Sequence, residues 1–242
     1  MNTHHIPVYT SFALCRDCYK CVRECTVKAI KIENGQASII KEICIHCGHC
    51  VDVCPVSAKK IRNDVPKLLQ MIDNKEKLVV SLAPSWVSEF PEISEDKMIE
   101  SFRMMGFQYV SETAVGADIL NALLRDYLPK CQTKIHLSTA CPTVVEMVQL
   151  HFSHVSRYLT PFSSPLLIHS GYLKERLGND YHVIFFGPCI SKKKESDFSP
   201  DLLSCALTFN DLRELWDHFK IRPSLLNGGA NNQFYPDQAG KG

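Results

Sequence analysis

The segment CIHCGHCVDVCP (residues 44–55) spaces four cysteines as C-x2-C-x2-C-x3-C and follows the last one with proline. The same spacing occurs 29 residues earlier, in CRDCYKCVREC (residues 15–25). These two segments contain eight of the 12 cysteines of the chain. Because cytosolic cysteines seldom form disulfides, such a concentration favours metal binding or redox chemistry.

This spacing is typical of a pair of [4Fe-4S] cubes. Three thiolates two residues apart can hold one face of a cube, whereas the fourth, three residues on at the start of a helix, reaches the other cube. The predicted ligands of the first cluster are Cys15, Cys18, Cys21 and Cys54, and those of the second are Cys44, Cys47, Cys50 and Cys25.

A pair of zinc sites is the alternative for these cysteines. Zinc sites take cysteines in pairs separated by a long spacer, which the triplet-plus-one pattern disfavours. His46 and His49 lie between the cysteines, but four thiolates are already present for each cluster. We therefore predict that both histidines are exposed loop residues and not ligands.

The two copies also match beyond cysteine, which indicates an internal repeat with a pseudo-twofold arrangement: Val22 with Val51, Val27 with Val56, Ala29 with Ala58, and Ile32 with Ile61. Between the copies, IKIENGQASII (residues 30–40) alternates around Asn34-Gly35, a strong hairpin signal. The whole segment resembles the bacterial ferredoxins that carry two [4Fe-4S] clusters. Thr26 stands where that family usually has proline, a position that shapes a turn and ligates nothing.

The bulk composition indicates an ordinary globular protein of more than one domain. The chain has 242 residues, 45% of them hydrophobic and 22% charged. A net charge of +1 gives no sign of a nucleic-acid partner. No apolar run has the ~20 residues of a membrane span, and the first residues do not read as a secretory signal. We expect a cytoplasmic protein.

Strand and helix patterns alternate after the cysteine-rich segment, which predicts an α/β domain with a mostly parallel sheet. Strands are predicted at residues 78–84, 107–112, 134–138 and 181–186. Helices are predicted at residues 94–106, 115–128, 144–152, 167–177 and 210–220, the last capped by Asn210. The predicted organisation is an α+β ferredoxin-like domain at 1–65, a connecting helix at 66–77 and the α/β domain at 78–242.

The four remaining cysteines are scattered through this second part. Cys131 and Cys205 are interpreted as small buried hydrophobic residues. Cys141 and Cys189 each follow a predicted strand, where ligands of parallel sheets bind. Taken alone, however, they could be packing residues. No base is fixed for a nucleophile, although His136 and His151 are nearby, and neither turn is rich enough in glycine for a phosphate loop.

Three short segments resemble the active-site segments of the [FeFe]-hydrogenases: STACPTVVEMV (138–148), LTPFSSPL (159–166) and FFGPCISKKKE (185–195). SLAPS (81–85) fits the strand end that lines the same site. The resemblance implies that Cys141 and Cys189 are two of the four thiolates that hold the cubane of that site. It also implies that Lys192 holds a cyanide ligand of the two-iron unit, with Pro84, Ser85, Ser164 and Pro165 around it. Without the resemblance, Lys192 would be interpreted as a solvated charge.

Three departures from the family pattern concern proton transfer and ligand number. Ala140 stands where catalytic members have a proton-donor cysteine, and Leu123 and Leu124 fall on an acidic pair of the proton route. Thr160 keeps a hydroxyl on that route. The segment carrying the last two cluster thiolates is missing, and the chain ends in the unpatterned stretch 231–242. We therefore expect a C-terminally incomplete member that resembles the sensory branch of the family.

The sequence thus predicts an iron–sulfur electron-transfer protein with two [4Fe-4S] clusters, which senses hydrogen or redox state or turns hydrogen over slowly. A cubane plus two-iron unit would be held if the chain is completed. The expected partners are a redox protein and a downstream signalling domain or completing subunit. The alternative is a ferredoxin-type carrier whose α/β domain is vestigial or binds a partner and holds no cluster.

Overall fold

The computed structural model describes residues 6–229 and 232–236. Within them the chain forms two compact units, each built from separate stretches of sequence. Unit 1 comprises the described residues up to Arg62 together with 135–161 and 190–194. Unit 2 comprises 63–134, 162–189 and the described residues from 195 onward. The division into domains at residues 65 and 78 stays a prediction.

Unit 1 contains two small antiparallel sheets. Strand β1 (Val8–Thr10) pairs with β4 (Lys59–Ile61), and β2 (Ile30–Glu33) pairs with β3 (Gln36–Ile39). The turn between β2 and β3 is Asn34-Gly35, with φ of 52° and 73°. Two positive φ angles are what a two-residue type I′ turn requires, so the predicted hairpin is confirmed.

Short helices carry the cysteine-rich loops of unit 1. Helix α1 (Lys20–Glu24) and helix α2 (His49–Asp52) lie at equivalent positions of the internal repeat. A longer helix, α7 (Pro142–His151), also belongs to this unit. It begins directly after Cys141, and proline at its first position suits a helix start because that N–H needs no partner within the helix.

The strand predicted at residues 134–138 is wrong. In its place the structure has a single parallel bridge between Leu137 and Leu159. The Leu137 N–H donates to Tyr158 and the Leu137 carbonyl accepts from Thr160, at 2.7 and 2.9 Å. Ile135, the other apolar residue of the short pattern, is 58% exposed, so the segment lacks the apolar content that a buried sheet strand needs.

Unit 2 is built on a parallel four-stranded sheet, which confirms the predicted α/β class. The strands are β5 (Lys77–Leu82), β6 (Tyr109–Glu112), β7 (Tyr181–Phe186) and β8 (Cys205–Leu207), in the order β6-β5-β7-β8. Val80 of β5 lies opposite Val110 and Ile184. Strand β8 was not predicted because its three residues are too few to show a pattern.

Helices of unit 2 pack around this sheet, and their bounds are α3 (Val65–Asp73), α4 (Trp86–Glu89), α5 (Glu95–Met104), α6 (Ala114–Tyr127), α8 (Pro165–Leu177) and α10 (Phe209–His218). Helix α9 (Lys192–Phe198), which was not predicted, begins in unit 1 and ends in unit 2. Among the described residues, no helix is long and apolar enough to cross a membrane.

The cap of helix α10 differs from the prediction. Asn210 was expected to cap it, but the N-cap is Thr208. Its hydroxyl accepts from the Asp211 N–H at 3.2 Å, while the Asp211 carboxylate accepts from the Thr208 N–H at 2.7 Å. This capping box satisfies two backbone donors at once, which a cap at Asn210 would not do.

A buried histidine ties helix α8 to the sheet of unit 2. His169 is fully buried, and its two ring nitrogens lie 2.8 Å from Ser81 Oγ and 2.9 Å from Ser111 Oγ. Gly116 of helix α6 lets α8 approach closely, since a Cβ there would lie 2.1 Å from the Pro165 carbonyl oxygen. Burial lowers the pKa of His169 from 6.5 to about 3.

We predict that His169 makes unit 2 sensitive to acid. Below pH 6.5 the unfolded chain takes up a proton at His169 that the folded chain refuses, so stability falls as the pH decreases from 6.5 towards 3. Between pH 6.5 and 5 the loss from this group is about 1.5 kcal/mol.

Urea unfolding followed by tryptophan fluorescence measures this loss, because both tryptophans, Trp86 and Trp216, are buried in unit 2. His169→Gln lowers stability at pH 7 but removes this part of the pH dependence. A variant with the same pH slope as the parent protein would contradict the assignment.

Candidate metal centres

One cavity in unit 1 is lined by the four cysteines that the spacing assigned to the first cluster. They are Cys15, Cys18, Cys21 and Cys54, around a volume of about 340 Å³. The first three come from one copy of the repeat, on the loop after β1 and the start of α1. The fourth comes from the other copy, after the end of α2.

A second cavity of about 410 Å³ is lined by Cys25, Cys44, Cys47 and Cys50. Its arrangement repeats that of the first with the two copies exchanged. Cys25 is the C-cap of α1. Of the other three, Cys44 and Cys47 lie on the loop between β3 and α2, and Cys50 lies in α2. The structure thus brings the eight cysteines together in the two predicted sets, while their role as ligands stays a prediction.

The two cysteine loops follow the same unusual backbone path. Asp17 and His46, which are equivalent in the repeat, both have φ of 52°. Tyr19 and Gly48 are the next equivalent pair, with φ of 56° and 83°. Three of these four residues are not glycine, so the left-handed conformation is costly and must be held by its surroundings. This path turns the cysteines of each loop towards one cavity.

Backbone N–H groups point at the fourth cysteine of each copy. Ala29 donates to Cys25 Sγ at 3.2 Å, and Ala58 donates to Cys54 Sγ at 3.1 Å. For Cys54, burial raises the pKa, but hydrogen bonds from the backbone outweigh it and hold the pKa below its usual value. Such bonds stabilise a thiolate and, in a cluster, influence its potential.

At three of the other cysteines burial is the largest effect on the pKa. It raises the pKa of Cys21 and Cys44, and it raises the pKa of Cys50 to about 12. Without metal these side chains are therefore neutral thiols at pH 7. A bound cation must displace their protons, as thiolate ligation requires.

The donor sets fit an iron–sulfur cube. Each cavity is lined by four cysteine sulfurs and has a backbone N–H donor to one of them. A cube binds four thiolate ligands that are distributed around it. Within residues 6–229 and 232–236, no three His, Cys, Asp or Glu side chains are grouped to hold a single metal ion.

The prediction that His46 is an exposed loop residue is wrong. Its side chain is only 4% exposed, and its Nδ1 lies 2.9 Å from Glu146 Oε2 on helix α7. Lys194 binds the other carboxylate oxygen of Glu146. Burial raises the pKa of Glu146, but its contacts with His46 and Lys194 outweigh burial and hold that pKa below its usual value. His49, by contrast, is 47% exposed, as predicted.

Helix α7 has a second contact with the same cysteine loop. His151 Nε2, near the end of the helix, lies 2.8 Å from the Ile43 carbonyl oxygen. Ile43 directly precedes Cys44, and His46 directly precedes Cys47. Two polar contacts therefore hold α7 to the backbone that presents the second cavity.

Four residues to which the hydrogenase resemblance draws attention belong to unit 1: Ala140, Cys141, Thr160 and Lys192. Cys141 is the exposed N-cap of α7, with Ala140 directly before it. Thr160 is buried, and its hydroxyl lies 2.9 Å from that of Thr139. Lys192, at the start of α9, is 9% exposed, which disfavours the alternative of a solvated charge, while its role in the hydrogenase-type site stays a prediction.

The remaining predicted site residues belong to unit 2. Pro84 and Ser85 follow β5, and Cys189 follows β7; because these strands are adjacent and parallel, both ends lie at the same sheet edge. Cys189 is half-buried. Ser164 is buried and caps helix α8, where its side chain accepts from the Leu167 N–H at 3.4 Å, and Pro165 follows it.

The two cysteines interpreted as buried packing residues differ from each other. Cys205 is 2% exposed in strand β8, as predicted. Cys131 is only half-buried, and its thiol donates to the Tyr127 carbonyl at 3.4 Å. Leu123, which falls on the acidic pair of the family's proton route, lies on helix α6 and is 42% exposed.

Two residues of unit 1 were missed at the sequence level. Glu146 is flanked by the apolar residues Val145 and Met147 in α7, and a carboxylate among apolar residues could have indicated a buried partner. Lys59 lies on β4, lines the first cavity and is 2% exposed. The repeat could have revealed it, because it is equivalent to the apolar residue Ile30.

Comparison with known families matches both parts of the chain. The sequence model of the iron only hydrogenase large subunit, C-terminal domain, matches residues 76–242, and a 4Fe-4S dicluster domain model matches residues 7–64. The chain belongs to the [FeFe]-hydrogenase family. It is an iron–sulfur protein of that family. A comparison with curated proteins gives no match.

Solved [FeFe]-hydrogenases share the fold. One, from a study of oxygen inactivation through the two-iron subcluster of the H cluster, has a TM-score of 0.60 and 19% identity, and the match covers 73% of this chain and 53% of that one. A HydA form from H-cluster assembly and a HydA1 variant from Chlamydomonas reinhardtii each give 0.59 and 19%, covering 71% of this chain and 52% of theirs. This hydrogenase-family chain thus spans about half the length of these relatives.

We predict that Glu146→Gln loosens helix α7 from the cysteine loop. The change leaves Lys194 and buried His46 without their carboxylate, which should cost about 1–3 kcal/mol. Hydrogen exchange of residues 142–151 and 43–47 in the cluster-loaded protein measures the loss.

Glu33→Gln is the matched control in the same unit. Glu33 forms an exposed pair with Lys31 at 3.3 Å, which contributes less than about 1 kcal/mol. Equal exchange rates in the two variants would show that the Glu146 contacts do not stabilise the packing of α7 on the cysteine loop.

Proposed function

We propose that this chain is an electron-transfer protein of the [FeFe]-hydrogenase family that carries two [4Fe-4S] clusters, one in each four-cysteine cavity. The observation that carries the proposal is the presence of two cavities with matched thiolate sets, Cys15, Cys18, Cys21 and Cys54 in one and Cys25, Cys44, Cys47 and Cys50 in the other. When bound, the clusters supply reversible one-electron transfer.

The protein's own residues hold and tune these centres. Ala29 and Ala58 donate N–H groups to ligand sulfurs, which favours the charged thiolate. The wall of the second cavity is otherwise largely apolar, with Ile30, Ile39 and Ile45, whereas Arg16, Asp17 and Lys59 line the first. Where the walls exclude water the local dielectric is low, so nearby charges act strongly on the potential of a cluster.

A hydrogenase-type site in this chain would be formed by the residues that the resemblance assigns to it. Cys141, Cys189 and Lys192 are the side chains expected there, with Pro84, Ser85, Ser164 and Pro165 around them. Two thiolates do not fit a cubane that needs four. The other cysteines of this part are Cys131 and Cys205, whose thiols contact backbone carbonyls of unit 2. We therefore propose that the remaining ligands come from outside residues 1–242.

Slow hydrogen turnover follows from the side chains at the proton-transfer positions. Ala140 carries a methyl group where a thiol would deliver a proton, and neither Leu123 nor Leu124 can exchange one. General acid–base catalysis needs groups with suitable pKa values within reach of the reacting atoms. We propose that the chain reports hydrogen or redox state to a redox partner and does not process hydrogen in bulk.

A second candidate function is a plain ferredoxin-type carrier whose α/β part holds no cluster. The exposure of Cys141 and the count of two thiolates favour it. The two functions share the clusters of unit 1 and differ in what the α/β part holds.

Iron and acid-labile sulfide per chain after anaerobic reconstitution test the cluster count. We expect about eight iron atoms, from two cubes of four. Cys141→Ser and Cys189→Ser should leave this value unchanged in the isolated chain, with Cys131→Ser as the control. A value near twelve that falls to about eight in both variants would show that the chain holds a third cluster unaided, against the ligand argument.

Hydrogen evolution from a chemical reductant tests turnover. After loading with the two-iron unit, the chain is expected to stay near the background rate, because only two cubane thiolates are present and proton donors are missing at Ala140, Leu123 and Leu124. A rate comparable to that of a catalytic [FeFe]-hydrogenase, assayed alongside as the positive control, would rule out the sensing proposal.

A further inference from the structure

Lys59 is a lysine buried inside unit 1. It begins strand β4 and is 2% exposed. Its ammonium donates to Thr10 Oγ1 at 2.5 Å and to the Ala37 carbonyl at 3.1 Å. Both acceptors are neutral, and burying a cation costs several kcal/mol unless an opposite charge lies close by.

The internal repeat shows that the fold does not require a lysine at this position. Ala58 matches Ala29, so Lys59 is equivalent to Ile30, which begins strand β2. Ile30 is 7% exposed and packs against Cys21 and Ala37. One copy therefore buries an apolar side chain where the other buries a charge.

The charged and the apolar residue face different cavities. Lys59 lines the first cavity, together with Cys15, Cys18, Cys21 and Cys54. Ile30 lines the second cavity. The pseudo-twofold arrangement is thus broken at the wall of the two centres, and a cation is added to one of them.

The position of Lys59 directs its charge at the first cavity. Lys59 and its hydrogen-bond partners Thr10 and Ala37 all line that cavity, and none of the three lines the second. The stronger electrostatic effect of the ammonium therefore falls on the first centre.

A cube with four thiolates carries a net negative charge, which grows by one when the cube takes up an electron. A nearby buried cation stabilises the reduced form more than the oxidised form and therefore raises the reduction potential. In return, the cluster provides the opposite charge that makes a buried ammonium tolerable.

We infer that Lys59 is the counter-charge of the cluster in the first cavity and separates the potentials of the two clusters. This rests on the proposed function, because it requires a cluster in each cavity. In the reducing step, one electron from the redox partner enters a cluster, and no bond forms or breaks. The first cluster is easier to reduce than it would be beside an isoleucine, so Lys59 influences the order in which the clusters fill.

Lys59→Met tests the inference by an EPR-monitored redox titration at fixed pH. Methionine keeps the length of the side chain and removes the charge. We expect the midpoint potential of the first cluster to become more negative by about 59 mV. For a one-electron couple this shift is a tenfold change in the equilibrium constant. The other midpoint should move less, and Lys59→Arg should stay close to the parent protein.

Ile30→Lys is the reciprocal variant. A lysine at the equivalent position should shift the midpoint of the second cluster to a more positive potential. Two unchanged midpoints in Lys59→Met, with full iron content, would overturn the inference.

The iron content separates the possible failures. Fewer than about eight irons in the parent chain would count against the proposed function and not against the role of Lys59. If Lys59→Met loses a cluster, the iron contents of Lys59→Gln and Lys59→Arg show whether the charge of Lys59 is required for cluster binding. Loss in the glutamine variant alone supports a charge requirement, and equal loss in both variants contradicts it.

Discussion

The exchange of one cysteine between the two copies of the repeat is the constraint on which unit 1 depends. Cys25 lies with the second set and Cys54 with the first, so each cavity closes only when both copies are folded against each other. The apolar core around them is small: Cys21, Ile30 and Ala37 form a buried cluster. Small domains of this kind need metal or other cross-links to be stable, so the clusters are expected to supply folding energy as well as redox chemistry.

Polar contacts extend this arrangement beyond the ferredoxin-like segment. Glu146 joins His46 and Lys194, and His151 bonds to the carbonyl of Ile43. His46 has a positive φ within the cysteine loop, and its buried contact with Glu146 helps to hold that costly conformation. Helix α7, which Cys141 precedes, is therefore fixed to the loop that presents the second cavity.

Local patterns predicted the fold well where they were long or chemically specific. The cysteine spacing, the Asn34-Gly35 turn and strand β7 were all recognised in this way. The short bridge at Leu137 and strand β8 were misjudged or missed, because three to five residues carry too little pattern. The burial of His46 and Lys192 could not be predicted from local patterns, whereas that of Lys59 could have been inferred from its equivalence to Ile30 in the repeat. The contacts of His46 with Glu146 and of Lys59 with Thr10 show why these two side chains are tolerated inside unit 1.

The central claim is the exchanged pairing of cysteines, and iron content in double alanine variants tests it most directly. Cys25→Ala with Cys47→Ala removes two ligands of one predicted cluster, so about four irons per chain should remain. Cys25→Ala with Cys18→Ala removes one ligand from each cluster, so both should be impaired and the iron content should fall further. If the double variant at Cys18 and Cys25 retained more iron than the double variant at Cys25 and Cys47, each copy would bind its own cluster. That result would contradict the exchanged pairing.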